Sequence, residues 1–132
     1  MSKLQNFPEL QALVEEISTI LKGGESKSSI LYNLFDGDTF EIFYGHPDLK
    51  GYEAIRYFSN EFFEDKDYEA MESEGGGEGE GEYCYGVIRL GDKFYKAEWA
   101  YYSYNGCEYD YIEDTIKEVT PVEKTIIVYK WV

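Results

Sequence analysis

The sequence predicts a single α+β domain, residues 1–132, built as an antiparallel sheet of about five or six strands with two helices packed on one face. Three observations predict it. Residues 83–111 read as a β-meander: YCYGVIRL, KFYKAEWAYYSY and CEYDY are aromatic and β-branched runs separated by Gly91-Asp92 and Asn105-Gly106, both two-residue turn signals. Two other stretches carry apolar residues at helical spacing. The length of 132 residues suits one domain with its own core, and an aromatic share of 18% argues for a folded chain despite a net charge of −15.

The first helix begins near Asn6-Phe7-Pro8-Glu9, with Asn6 or Ser2 as capping residues and Pro8 in the first turn. Leu10, Leu13, Val14, Ile17, Ile20 and Leu21 form its apolar stripe, and Gly23-Gly24 ends it. Ser28 to Phe35 and Asp38 to Tyr44 read as a buried hairpin turning at Asp36-Gly37, because apolar residues fall on both faces. Asp36-Gly37-Asp38 lacks the evenly spaced oxygens and distant glutamate of a calcium loop. Gly45-His46-Pro47 breaks the chain. Asp48 then caps a second helix running to about Glu64, with Leu49, Tyr52, Ile55, Phe58 and Phe62 on one side and Tyr57 and Phe63 off that stripe.

In the meander, two-residue turns set Leu90 opposite Lys93 and Tyr104 opposite Cys107. One face then carries Cys84, Ile88, Leu90, Tyr95, Ala97, Trp99, Tyr101 and Ile112, a core face that Asp110 fits only near an edge. The other carries Tyr83, Tyr85, Val87, Phe94, Ala100, Tyr102, Tyr109 and Tyr111, with Arg89, Lys96 and Glu98 among them. This tyrosine-rich face is either covered by another layer or used as a contact surface. The same register puts Cys84 and Cys107 on opposite faces, as free thiols. Beyond it, 112–119 is compatible with strand or bend, Pro121 interrupts pairing, and Lys124 to Val132 reads as a last strand tied into the sheet.

Charge is concentrated between these elements. Residues 61–82 hold ten acidic side chains against Lys66 alone: Glu61, Glu64, Asp65, Asp67, Glu69, Glu72, Glu74, Glu78, Glu80 and Glu82. The Gly/Glu-rich part, at about 73–82, is expected to be a mobile loop, with residues 75–81 dispensable for folding. Its glycines lack the helix start of a phosphate-cradling loop.

A chain with 27 acidic and 12 basic residues repels nucleic acid and anionic membranes and attracts basic proteins. No apolar run approaches a membrane span, and MSKLQNFPELQ lacks the features of a secretory signal. One histidine, His46, and two cysteines without CxxC spacing give no nucleophile–base pair and no zinc set. The expectation is a non-enzymatic protein with no catalytic residues, metal or cofactor.

The stretches GDKFYKAEWAYYSYNG and EVTPVEKTIIVYKWV, within residues 83–132, resemble the end of small uncharacterised proteins of tailed bacteriophages. The resemblance implies a protein acting in the cytoplasm of an infected bacterial host and transfers no site residue. With the charge, it leads to the expectation of an inhibitor that binds a basic host protein, defence-related or nucleic-acid-binding, through carboxylates standing in for phosphates. Those carboxylates are the ten of residues 61–82, with Tyr102, Tyr109 and Tyr111 as further partner contacts. The alternatives are an immunity protein against a basic toxin and a self-assembling component using the tyrosine face, with a homodimer as its simplest form.

Overall fold

The computed structural model describes residues 3–75, 83–102, 106–123 and 127–132, with the side chain of Tyr102 left out. Two layers form the domain. The sheet runs β1 (Tyr68–Gly75), β2 (Tyr83–Leu90), β3 (Lys93–Tyr102) and β4 (Gly106–Glu108) in spatial order, all antiparallel neighbours. A fifth strand, β5 (Lys117–Val119), pairs with the start of β3 on the edge whose far end β4 occupies. The helices are α1 (Pro8–Ile20), α2 (Lys27–Asp36), α3 (Thr39–Ile42), α4 (Tyr52–Glu64) and α5 (Ile112–Thr115).

The core face of the meander is as the alternation predicts. Cys84, Ile88, Tyr95, Ala97 and Trp99 are buried in one cluster with Leu10, Leu13, Val14 and Ile17 of α1, Leu90 and Tyr101 pack at its margin, and Ile112 joins the cluster from α5 rather than from a strand. The β2–β3 register, Leu90 opposite Lys93, is also as predicted. Helix α1 opens with Pro8 in its first turn, but its N-cap is Phe7, with no side-chain cap bond; Asn6 ends a short 3-10 turn before it. Ser2 lies outside the described residues.

The predicted hairpin over 28–44 is instead α2 and α3. Ser26 caps α2 by accepting a hydrogen bond from the Ser29 amide, and Gly37 closes it in the left-handed conformation at φ 82°. Asp38 caps α3 in the same way, through the Glu41 amide. Apolar residues fall on both strand faces because Ile30, Leu31, Leu34 and Phe35 follow helical spacing on a helix covered from several sides. α2 lies directly on β1, β2 and β3 and touches α1, α3 and α5 as well. Helix α4 starts at Tyr52 with Gly51 as N-cap; Asp48 does not cap it but pairs with Lys22 at 3.1 Å. Phe58, Phe62 and Phe63 of α4 surround Phe43, and Phe63 also meets Tyr68, while Tyr57 is exposed. His46 is a turn residue: its Nδ1 accepts from the Asp48 amide at 3.0 Å and its ring meets Phe58 edge-on.

Two further expectations are corrected on the far side of the sheet. Cys107 pairs with Tyr101, not Tyr104, so three residues rather than two connect β3 to β4 and the register moves by three, an odd shift that turns β4 over. Cys107 therefore shares the face of Cys84. Both are free thiols. They sit on strands flanking β3, about 9–10 Å apart by strand spacing and beyond disulfide reach. The same shift carries Tyr109 to the helix side, where it stacks on Tyr32 with ring centroids 4.6 Å apart.

Residues 117–119 form β5, but 127–132 form no strand and are exposed, so the expected last strand is not part of this sheet; residues 124–126 lie outside the described residues. The start of the stretch expected as an acidic loop is strand instead. Ser73, Glu74 and Gly75 belong to β1, while 76–82, with Glu78, Glu80 and Glu82, lie outside the described residues.

Candidate functional site: an acidic row on the open face of the sheet

β1 is the element that the acidic composition concealed. Tyr68 anchors it: the ring meets Phe63, and the hydroxyl donates to the Leu34 carbonyl at the end of α2. Ser73 donates to Asp36 at 3.1 Å, tying the other end of the strand to the same helix. Burial of the Tyr68 hydroxyl, with Asp36 nearby, raises its pKa.

A bulge sets the charges in line. Strand alternation alone would put Glu69 on the opposite face from Glu72 and Glu74. The pairing steps from Ala70 opposite Ile88 to Glu72 opposite Val87, so Met71 is the extra residue. Glu69 is opposite Arg89, Glu72 opposite Val87 and Glu74 opposite Tyr85, and all three lie on the face away from the helices. Helix-side positions fall to Tyr68, Ala70 and Ser73.

That face is open. Among the described residues no helix covers Tyr85, Val87, Phe94 or Lys96, which are half-buried, and Tyr83 is exposed. Polar partners are shared along it. Arg89 donates to Asp67 at 2.7 Å, to Glu69 at 3.4 Å and to the Gly91 carbonyl at 2.7 Å. These carboxylates, Asp67 foremost, raise the pKa of the guanidinium. The Tyr85 hydroxyl donates to Glu72 at 2.7 Å and to Glu74 at 3.3 Å, and the bond to Glu72 is the main cause that pushes its pKa up to about 12. Lys96 sits over the Tyr85 ring at 4.6 Å, and Tyr83 donates to Glu98 at 3.1 Å. Arg89 and Tyr85 thus fix four carboxylates of one strand and its approach, while the outward oxygens face solvent.

The other expected site residues are scattered. Glu61 is exposed on α4, Glu64 is its last residue and Asp65 its C-cap. Asp65 and Asp67 line a shallow cleft of about 330 Å³ with Glu9, Glu16, Lys66 and Asp92, where Lys66 pairs with Glu16 at 3.0 Å. Tyr109 is stacked on the helix side, Tyr111 is exposed just before α5, and the side chain of Tyr102 lies outside the described residues. Among the described side chains, the tyrosines of the open face are Tyr83 and Tyr85, which alternation around Val87 places there.

The arrangement is suited to accepting hydrogen bonds and positive charge. Among the described residues no group of three His, Cys, Asp or Glu side chains is placed to hold a metal ion, and no helix is long and apolar enough to cross a membrane. Comparison with protein families, curated proteins and solved structures gave no match to this chain.

Proposed function

We propose that the chain is a binding protein whose open sheet face engages a basic protein, with Asp67, Glu69, Glu72 and Glu74 meeting lysines and arginines that otherwise hold nucleic-acid phosphates. The alignment of the three glutamates by the bulge at Met71 supports this reading best, because strand alternation would otherwise have divided them between two faces. Exposed Glu61, Glu64 and Asp65 extend the negative field past the end of β1. Glu64 and Asp65 stand at the C-terminus of α4, where the helix dipole disfavours acids by a few tenths of a kcal/mol, so local helix stability does not explain them. The resemblance to bacteriophage proteins makes a nucleic-acid-binding or defence protein of a bacterial host the partner we favour.

The test is capture from bacterial lysate on the immobilised chain at low salt, followed by elution in rising salt. A nucleic-acid-binding protein released by salt, and not retained by the Glu69→Lys, Glu72→Lys, Glu74→Lys variant, is the expected result. A cognate toxin in its place would identify an immunity protein. Retention of the same partner by the charge-reversed variant would refute the site.

A further inference from the structure

Among the described residues, the segment 127–132 is the largest apolar feature left in solvent. Ile127, Val128, Tyr129 and Trp131 are 75–90% exposed, in a chain that otherwise buries most of its large aliphatic side chains. Exposed apolar surface of this size marks an interaction site. The segment also has the two-residue period of a strand: Ile127, Tyr129 and Trp131 on one side, Val128, Lys130 and Val132 on the other.

We propose that this segment adds as an antiparallel strand to the outer edge of β1 in a second copy of the chain, and that the exchange is reciprocal. Three observations select this occupant and this edge. β1 ends the sheet, with a neighbour on one side only among the described residues, and it is eight residues long; β4 and β5, on the other edge, are three residues each. Only β1 is long enough to hold a six-residue strand.

Charge and side-chain pattern agree with that edge. The only side-chain charge in 127–132 is Lys130, and β1 carries Glu69, Glu72 and Glu74 with no basic residue. A like-charged strand is repelled there; one with Lys130 on the open-face side is attracted. Alternation then directs Ile127, Tyr129 and Trp131 to the helix side, the side on which half-buried Tyr68 of β1 meets the Phe63 ring.

Reach separates a second copy from the chain's own edge. The segment follows β5, which pairs with β3, so its own β1 edge lies across four strand spacings, about 19 Å. Antiparallel pairing must also begin toward the Gly75 end, a diagonal of about 25–30 Å. The eight steps from Val119 to Ile127 span at most about 29 Å fully extended, with no residue left for the turn. A second copy has no such constraint. Two arms bring four aromatic rings, about 150–250 Å² each, and with the aliphatic residues this approaches the roughly 1,200 Å² of a stable interface.

Sedimentation equilibrium of the full chain should show a dimer. It should tighten as salt rises, because two copies of charge −15 repel one another. This sign is opposite to that of the basic partner, so the two readings fail separately. Tyr129→Ser with Trp131→Ser should weaken the dimer at least about a hundredfold. Lys130→Glu alone and Glu72→Lys alone should each weaken it about tenfold. Mixing these two single variants should restore association, because each arm then meets an edge of opposite charge. A monomer at every concentration overturns the proposal, as does a dimer indifferent to the serine variant. Failure of the mixture to associate excludes the β1 edge.

Discussion

Gly86 of β2 lies so close to α2 that a Cβ on it would sit 2.1 Å from the carbonyl oxygen of Phe35. The obstacle is backbone, which cannot swing aside, and Gly86 is in ordinary strand conformation, so the contact alone forbids a side chain. Gly86→Ala is expected to cost at least about 1–3 kcal/mol, an overpacking penalty. Urea unfolding checks it. Gly91→Ala is the comparison: a Cβ there meets nothing within 4 Å, but φ is +65°, so its cost is backbone strain of about 1 kcal/mol. Equal, small losses at both positions would mean that α2 does not press on β2.

The end caps of α2 give a second test. Ser26→Ala removes the acceptor for the Ser29 amide and should cost about 1 kcal/mol with unchanged urea dependence. A strand beginning at Ser28 would barely respond, so the variant distinguishes the two readings of this stretch.

These residues show what the sequence disclosed and what it withheld. The meander was legible because every level agreed: two-residue period, turn chemistry and aromatic content. α2 was misread although Ser26, Gly37 and the 30, 31, 34, 35 spacing spell a helix, because burial on several sides filled both strand faces with apolar residues. β1 was hidden by composition, since an edge strand facing solvent needs few apolar residues once Tyr68 and Ser73 bind it to α2. The acidic row depends on one extra residue at Met71, and no local rule announces where a strand will bulge. The register shift that moved Tyr109 rests on a three-residue connection, where Asn105-Gly106 suggested two.

Alkaline pH gives a third prediction. The folded chain holds Tyr85 at a pKa of about 12, chiefly through Glu72, and Tyr95 at about 12 through burial and its bond to Glu9. An unfolded tyrosine ionises near pH 10. Both values are raised in the folded state, so the contribution is complete below about pH 10 and is lost as pH climbs from 10 towards 12. The urea midpoint should fall over that window, mainly through buried Tyr95. In Glu72→Gln, NMR titration of the Tyr85 ring should show a lower pKa, because the charged acceptor is gone. An unchanged Tyr85 titration would mean that Glu72 does not hold the hydroxyl in solution.

The fourth prediction separates charge from aromatic contact on the open face, using the partner captured from lysate. Carboxylates meeting a basic groove attract it over a Debye length, which shrinks from about 10 Å at 0.1 M salt to about 3 Å at 1 M. Affinity should therefore fall steeply with salt, and duplex DNA should compete if the groove is one that holds phosphates. Tyr83 is the tyrosine to test, since it is exposed on this face, whereas Tyr109→Ser would remove a ring stacked on Tyr32 and confuse binding with folding. Tyr83→Ser should change affinity less than about threefold; reversing Glu69, Glu72 and Glu74 to lysine should lower it more than about a hundredfold. Glu69→Lys also sets a cation beside Arg89, so circular dichroism must first show that β1 remains paired. Salt-independent binding that survives the reversal, with loss on Tyr83→Ser, would move the site to the aromatic patch. The glutamates would then serve to keep an exposed edge strand from pairing indiscriminately with other sheets.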